Sequence, residues 1–264
     1  MAVYERIWRR YGGQLTPLAW RWLVVTRYAL ADVFASRLFT AFYAVCFLPS
    51  VVGLFFIYLS HNVSLLQQLG MPQDLMNVLT SKFFMVLFSW QAIPAFLVTI
   101  IVSPSLIAAD LANNALPLYL ARPINRREYV VGKMAVLGIL LSPMTWVMGA
   151  TIFGLQAYLE GGTWWIDNYR IGLAYLIGHL TWILVISVLT LAISAWVRFK
   201  PAARGALFAI IFILAGFAQA VNGVTRSSWG DLIHLVRAIN SVVMSLFGAP
   251  TPSGLPVSLN WLTL

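Results

Sequence analysis

Charged residues are scarce in this chain. Lys and Arg account for 17 of its 264 residues and Asp and Glu for 8, so that 9% of the residues are charged. An ordinary soluble protein of this length carries about 66 charged residues, and a much smaller number cannot cover the surface of a soluble fold. Because 61% of the residues are hydrophobic, the composition predicts an integral membrane protein.

Cysteine and histidine are also rare. Cys46 is the only cysteine, which excludes an intramolecular disulfide. His61, His179 and His234 lie far apart without the spacing of metal ligands, so no metal site is predicted. The net charge of +9 is not gathered in a water-facing domain, which excludes nucleic acid as a partner. The N-terminus lacks the short apolar core of a signal peptide, and we expect it to belong to the mature protein.

Five long apolar runs dominate the chain. Each approaches or exceeds the length of about 20 residues that crosses a bilayer as a helix, and none has a charged residue near its middle. Pro49, Pro94 and Pro143 lie inside these runs and are expected to bend their helices. We predict an all-α membrane protein, a helical bundle whose five complete spans are residues 38–59, 83–109, 134–159, 171–197 and 203–221.

An amphipathic helix is predicted at residues 231–247, outside the membrane and before the last span. Its apolar residues share one helical face, and these are Leu232, Leu235, Val236, Ile239, Val242, Val243 and Leu246, opposite His234, Arg237, Ser241 and Ser245. Ser228 with Asp231 fits a capping box at its start, and Gly248 before Pro250 fits its end. We expect it to lie at the outer interface or to fold back into a mouth of the bundle; a helix simply resting on lipid is the alternative.

The two ends of the chain differ in character. Residues 1–37 form a cytoplasmic or interfacial segment whose Trp and Arg residues suit the headgroup level, either as an interfacial helix or as a plain membrane anchor. Residues 38–264 form the transmembrane domain. Its last eight residues, 257–264, are an apolar run too short to cross about 30 Å of hydrocarbon, and we interpret them as the start of a sixth span.

The positions of Lys and Arg predict the orientation. The segments before the first span, between spans two and three, and between spans four and five hold 13 of the 17 basic residues when Arg204, at the very start of span five, is included. Because basic residues concentrate on the cytoplasmic side, the N-terminus is predicted to be cytoplasmic in a multi-pass protein of the cell (inner) membrane.

The connection between spans two and three carries most of the chemistry outside the membrane. Asp110 stands at the membrane boundary, and a short apolar piece, 116–120, precedes a turn at Arg122 and Pro123. Asn125 is placed to cap the next helix, with Glu128 three residues later. The alternative interpretation is a positive-inside loop with well-capped helix ends.

This connection resembles the type-2 ABC exporter permease family. That family typically has an Asp, a small-residue helix, the pattern L-[SA]-R-P-[IV]-[ST]-R, and then a Tyr and a Gly-Lys pair that enter the third span. The matching residues here are Asp110, Leu120, Ala121, Arg122, Pro123, Ile124, Asn125, Arg126, Tyr129, Gly132 and Lys133. Asn125 departs from the usual Ser or Thr but keeps the capping chemistry. The match covers about 30 residues, and the lack of a complete sixth span is either a departure from the family or a truncation.

The resemblance implies the membrane subunit of an ATP-driven exporter, which pairs with a second copy or a related permease. An ATPase subunit would dock on the cytoplasmic connection, and membrane lipid and a periplasmic or extracellular protein are further implied partners. The implied docking residues are Asp110, Asn114, Tyr119, Arg122, Pro123, Asn125, Arg126, Arg127, Glu128, Tyr129 and Lys133.

The chain has no phosphate-binding loop of its own. Gly132 and Lys133 are followed by Met134, and Arg127 stands where the first Gly of G-x-x-x-x-G-K-[ST] belongs. We therefore predict that this subunit is not itself an enzyme and binds no cofactor, and that ATP and magnesium belong to the separate ATPase.

Few polar residues lie inside the predicted spans. His179, Gln91, Gln156 and Gln219 are candidates for an intramembrane polar site, and a neutral His179 bonded to a neighbouring helix is the alternative. An intramembrane enzyme would need a catalytic pair or metal set, which the spans lack. A secondary transporter or channel usually carries charged residues at mid-membrane, and it remains the alternative function. The apolar walls fit a lipid-like cargo, and they equally fit force transmission to a periplasmic partner.

Overall fold

The computed structural model describes residue 17 and residues 20–62, 81–121, 124–197 and 199–248. Within these residues the fold is helical, without a β-strand. The helices are α1 (Arg21–Phe34), α2 (Arg37–Val45), α3 (Leu48–Ser60), α4 (Ser81–Leu106), α5 (Ala108–Ala112), α6 (Leu116–Leu120), α7 (Arg126–Ser142), α8 (Met148–Glu160), α9 (Trp164–Asp167), α10 (Tyr169–Trp196), α11 (Lys200–Thr225) and α12 (Leu235–Leu246). A π-helical turn (Pro143–Val147) joins α7 to α8, and a 3₁₀ turn (Trp229–Leu232) precedes α12.

Five helical stretches in the described residues are long and apolar enough to cross a membrane, which is the architecture of a multi-pass membrane protein. They are Arg37–Ser60, Ser81–Ala112, Arg126–Glu160, Tyr169–Trp196 and Pro201–Thr225. A long apolar helical stretch is present at each of the five predicted spans. The third begins eight residues earlier than predicted, because its first two turns are polar and carry no hydropathy signal. The predicted start of a sixth span, residues 257–264, lies outside the described residues.

Two of the three prolines that were predicted to bend their helices coincide with an interruption. Pro49 lies in the first turn of α3, just after the break between α2 and α3 at Cys46 and Phe47. Pro143 opens the π-helical turn, where the missing N–H of proline disturbs the regular ladder of the helix. Pro94 lies within α4, and the helix continues through it.

Helix α10 lies at the centre of the bundle and packs against α4, α7 and α12. One apolar core cluster joins α4, α7 and α10 towards the end of the bundle that carries Arg126, and it includes Val102, Leu137 and Ile186. A second cluster lies towards the opposite end, where Phe84 and Tyr175 pack against residues of α3, α8 and α12.

The N-terminal helix α1 packs tightly against the start of α7. The Thr26 hydroxyl donates a hydrogen bond to the backbone carbonyl of Gly132 over 2.9 Å. A Cβ atom at Gly132 would lie 2.8 Å from the backbone oxygen of Trp22, so glycine is needed for this close approach. The described part of the predicted interfacial segment is therefore a helix docked onto the third span.

The chain turns back after α11 in a re-entrant segment, residues 226–248. The N–H of Gly230 donates to the side-chain oxygen of Asn222 over 2.7 Å, and Gly230 lies against the backbone of Ala218, seven residues before the end of α11. The predicted capping box of Ser228 and Asp231 is wrong, since Asp231 bonds instead to Asn222 and Arg237. A turn of 3₁₀ helix occupies the predicted start.

Helix α12 begins at Leu235 and not at 231, and it folds back into the bundle. The ring of His234 caps it by accepting from the N–H of Arg237 over 3.3 Å. Gly248, with φ of 68°, ends it as predicted. The predicted faces are partly wrong, because Ser241 is buried and Val236 is exposed. Ser241 tolerates burial since its hydroxyl donates to the carbonyl of Ala238 over 2.8 Å.

Candidate functional site

Four of the predicted docking residues meet at one end of the bundle. The Asp110 carboxylate, from α5, accepts from Lys133 Nζ over 2.8 Å and from the Tyr129 hydroxyl over 2.7 Å. The rings of Tyr119 and Tyr129 lie 5.5 Å apart, and Lys133 Nζ lies 5.9 Å and 5.6 Å from their respective centroids. We call Asp110, Tyr119, Tyr129 and Lys133 the boundary cluster.

The boundary cluster is almost closed to solvent. The side chains of Lys133 and Asp110 are only 5% and 14% exposed. An ion pair removed from water must be compensated by good geometry and further hydrogen bonds, and here the Tyr129 hydroxyl supplies one while two rings supply cation–π contacts. The cluster therefore contains one ion pair, and residues of the cluster itself supply the contacts that compensate its burial.

Short helices place Asp110 in the cluster. The backbone N–H of Ala108, at the start of α5, donates to the Ser194 hydroxyl of α10 over 2.9 Å. The chain leaves α5 through Asn114, whose φ of 50° lies in the left-handed region that Asn tolerates better than most residues. Pro117 lies in the first turn of α6, where its missing N–H is not needed.

The start of α7 presents the basic residues. Asn125 is the N-cap, and its N–H donates to the Glu128 carboxylate over 2.9 Å, as the predicted capping pattern requires. Arg126 and Arg127 are exposed, and neither forms an ion pair within the described residues. The start of α7 is already stabilised by the Asn125–Glu128 capping box, so the two arginines are not needed for that purpose.

The structure thus divides the predicted docking residues into two groups. Asp110, Tyr119, Tyr129 and Lys133 turn towards one another, whereas Asn114, Asn125, Arg126 and Arg127 are exposed, and Glu128 is half-buried at the cap. Arg122 and Pro123 lie outside the described residues. The inward group can only position the segment, and the outward group can contact another molecule.

A second polar cluster lies inside the bundle. Gln91 of α4 donates from Nε2 to the Ser50 hydroxyl of α3 over 2.7 Å and accepts from the Tyr175 hydroxyl of α10. Ser50 also approaches the carbonyl of Met144 in the π-helical turn, 3.5 Å away. These contacts join three helices and the turn through hydrogen bonds in an apolar interior.

His179 joins this second cluster through its own helix. Its Nδ1 lies 3.1 Å from the carbonyl of Tyr175, four residues earlier, and not from a neighbouring helix as the alternative interpretation expected. Its ring lies 4.1 Å from the ring of Phe88. In the described part of the chain, Nε2 of His179 is buried without a hydrogen-bond partner.

The other two predicted intramembrane residues do not join this cluster. Gln156 is buried in α8, and its Nε2 donates to Glu160 over 3.1 Å, while the same Glu160 oxygen lies 3.3 Å from Nε2 of His61. Gln219 is exposed on α11. The predicted set of four is therefore distributed over three places.

Sequence reasoning missed Ser50 and Tyr175. Tyr175 stands four residues before His179 and hence on the same face of α10, which is a signal readable from the sequence. Ser50 gives no such signal, since a serine in an apolar helix commonly bonds to its own backbone. Within the described residues no group of three or more His, Cys, Asp or Glu side chains is placed to hold a metal ion.

An exposed ion pair stabilises the re-entrant segment. The Asp231 carboxylate accepts from Arg237 over 2.5 Å and from the Asn222 amide over 2.9 Å. Partial burial raises the pKa of Asp231, but the hydrogen bonds from Arg237 and Asn222 and the charge of Arg237 outweigh it, so the pKa lies below its ordinary value.

This ion pair predicts acid sensitivity. Its contribution to stability is fully present above the unfolded-state pKa of about 3.9 and is lost as the pH falls towards the lower folded-state pKa. We expect Asp231→Asn to flatten the fall of the unfolding temperature below pH 4 in detergent, and exposed Asp32→Asn to leave it unchanged. Equal acid sensitivity of Asp231→Asn and the unaltered protein would contradict the prediction.

Comparisons of this chain with known protein families, with curated proteins and with solved structures find no match.

Proposed function

We propose that this chain is the membrane subunit of an ATP-driven exporter of the type-2 ABC class, with residues 108–133 as the docking segment for a separate ATPase. The boundary cluster is the observation that carries the proposal. It fastens two short helices, α5 and α6, to the start of a span while Arg126 and Arg127 remain exposed beside them. A segment that is held by internal contacts and carries charged residues on its surface is suited to bind a partner and to transmit force from it.

The contacts of this segment supply a route for movement into the bundle. A displacement of α5 acts on α7 through the Asp110–Lys133 ion pair and on α10 through the bond from Ala108 to Ser194. The start of α7 acts in turn on α1 at Gly132. ATP-driven closure of the docked partner would therefore tilt α1, α7 and α10 together, as a rigid-body transition of packed helices.

The proposed subunit has a defined orientation in the membrane and defined partners. The docking segment and the N-terminus lie in the cytoplasm and the re-entrant segment lies on the outer side of the inner membrane, because the basic residues concentrate at the docking end. ATP and magnesium belong to the ATPase subunit. A second copy of this chain or a related permease completes the transporter.

Charge reversal at the start of α7 tests the docking role. We expect Arg126→Glu with Arg127→Glu to release the ATPase during affinity purification from membranes, with at least a tenfold loss of associated ATPase activity, since close charge pairs at interfaces contribute about 1.5 kcal/mol or more each. Membrane insertion should be unchanged. The measurements are quantitative mass spectrometry of the purified complex and ATP hydrolysis.

A matched control is available at the opposite end of the bundle. Arg170→Glu with Arg226→Glu makes the same change in charge at exposed positions far from the docking segment and should retain the ATPase. Unchanged ATPase recovery with the Arg126 and Arg127 variant would refute the docking role. Substrate movement by the purified chain alone, driven by an ion gradient without ATP, would show a secondary transporter instead.

A further inference from the structure

A cavity of about 370 Å³ opens between α4, α10, α11 and α12. This volume lies within the range of about 300–1,000 Å³ that is usual for small-molecule sites. It is more than twice the roughly 150 Å³ of an apolar cavity that remains dry and takes up benzene. Neither the boundary cluster nor the docking segment contributes to it.

The cavity lies at mid-height of the bundle. It is lined by Ile93, Trp182 and Ile211, each of which stands near the middle of its helix, α4, α10 and α11 respectively. At 1.5 Å per residue, Ile211 lies about 21 Å along α11 from its end at Thr225. The fourth wall comes from the re-entrant segment, through residues such as Leu235 and Ile239 of α12.

The walls are apolar and uncharged. Of the described residues that line the cavity, only Ser89, Asn240 and, through its indole N–H, Trp182 carry polar side-chain groups. The hydroxyl of Ser89 donates to the carbonyl of Met85 in its own helix over 3.1 Å, so its hydrogen is occupied and its oxygen is left as an acceptor. The carboxamide of Asn240 has no hydrogen-bond partner within the described residues. The cavity therefore favours a neutral, mostly apolar occupant and offers it few hydrogen-bonding groups.

The cavity is open towards the outer surface of the bundle. Ile93 is 63% exposed and Val236 is 53% exposed, although both line it. At the middle of a membrane-crossing helix, an exposed side chain faces hydrocarbon. Where no partner subunit covers it, the opening beside Ile93 therefore faces lipid acyl chains.

From these observations we infer that the cavity binds one acyl chain of a membrane lipid, which enters sideways from the bilayer and lies against α12. Burial of a flexible chain against apolar walls is favourable only where the walls fit it better than neighbouring lipid does. A preformed groove with rigid aromatic sides at Phe96 and Trp182 meets that condition. The binding does not depend on the exporter proposal.

Photolabelling of the full chain tests this inference. The chain is placed in vesicles of phosphatidylethanolamine and phosphatidylglycerol that contain palmitic acid with a diazirine at mid-chain, and the labelled residues are mapped by mass spectrometry. We expect label to concentrate on the cavity-lining parts of α4 and α12. Ala92→Phe places a ring in the cavity and should lower that label about tenfold, because it displaces several methylene groups of the chain.

Two comparisons keep the test decisive. Ala150→Phe makes the same change on an exposed face of α8 and should leave labelling of α4 and α12 unchanged. If Ala92→Phe fails to fold, the distribution of label along the unaltered chain still decides. Label spread evenly over all exposed helices, or undiminished in folded Ala92→Phe, would overturn the inference. Disulfide-linked dimers of Ile93→Cys would show that a second copy covers the cavity, and would overturn it too.

The assay needs no ATPase. Lipid labelling can therefore fail while the ATPase still binds at Arg126 and Arg127, and ATPase binding can fail while the labelling succeeds.

Discussion

Replacing Lys133 with Met lowers the free energy of unfolding by about 3–5 kcal/mol, because the Asp110 carboxylate is left buried without its cation. Lys133 Nζ lies 2.8 Å from this carboxylate, and both side chains are nearly closed to solvent. The Tyr129 hydroxyl still donates to Asp110, but one hydrogen bond does not compensate a charge at the membrane boundary. The methionine keeps the apolar stem of lysine, so that the loss reports the charge and not the packing.

Thermal unfolding in detergent, followed by circular dichroism, measures the change. Lys82→Met, at an exposed position of α4, is the matched control and should leave the unfolding temperature unchanged. The double variant Asp110→Asn with Lys133→Met should recover much of the loss, since neither partner then carries a charge. A loss of less than about 1 kcal/mol for Lys133→Met would show that water reaches the pair and that it behaves as an exposed ion pair.

Replacing Gly149 with Ala destabilises the bundle by about 1–3 kcal/mol through overpacking. A Cβ atom at Gly149 would overlap the ring of Tyr175, which is buried between α8 and α10. That ring is held by aromatic neighbours, among them Phe84 and Phe88, and its hydroxyl donates to Gln91. The ring therefore cannot move aside without giving up the hydrogen bond that joins α10 to α4.

Gly154→Ala is the matched control on the same helix. A Cβ atom at Gly154 meets no atom within 4 Å, and the change should stabilise the helix by up to about 1 kcal/mol through helix propensity. Combining Gly149→Ala with Tyr175→Leu should cost less than the sum of the two single changes, because removal of the ring makes room for the methyl group. Additive losses would show that the two residues do not interact.

Hydropathy predicted the five long apolar helices because each one is defined by about 20 consecutive residues. Local patterns were equally informative at some helix ends, such as Asn125 with Glu128 and the stop at Gly248. They failed at Ser228 and Asp231, where the capping pattern is present but Asn222 and Arg237 compete for the carboxylate. Those competitors belong to other turns of the chain, and a local pattern contains no information about them.

The orientation of the boundary residues was harder to predict. The sequence pattern of a basic connection between two spans is the same whether its charged side chains face a partner or one another. Asp110 and Lys133 are 23 positions apart in the chain, and only the folded arrangement of α5 and α7 brings their side chains into contact. Tyr129 and Lys133 stand four residues apart on one helical face, which was the available sign that both turn inward.

The inner polar cluster shows the same limit at longer range. Gln91 and Tyr175 lie 84 residues apart, and no periodicity in either helix relates one to the other. Their pairing depends on the relative rotation of α4 and α10, which is set by close approach at positions such as Gly178 of α10, where an added Cβ atom would lie 3.2 Å from Phe88 of α4. The spacing of Tyr175 and His179 on one helical face was readable from the sequence, but the pairing of Tyr175 with Gln91 was not.

The re-entrant segment has a consequence for the order in which the protein is assembled in the membrane. At 12 residues α12 is about 18 Å long, too short to be inserted as a span in its own right. It packs on α10 at the surface around Gly178, where an added Cβ atom would lie 3.2 Å from Phe88 and 3.4 Å from Val243. Because that surface needs α4 and α10 already side by side, docking of α12 must follow their association. Protection of the 235–246 backbone from hydrogen exchange would therefore mark the completion of biogenesis.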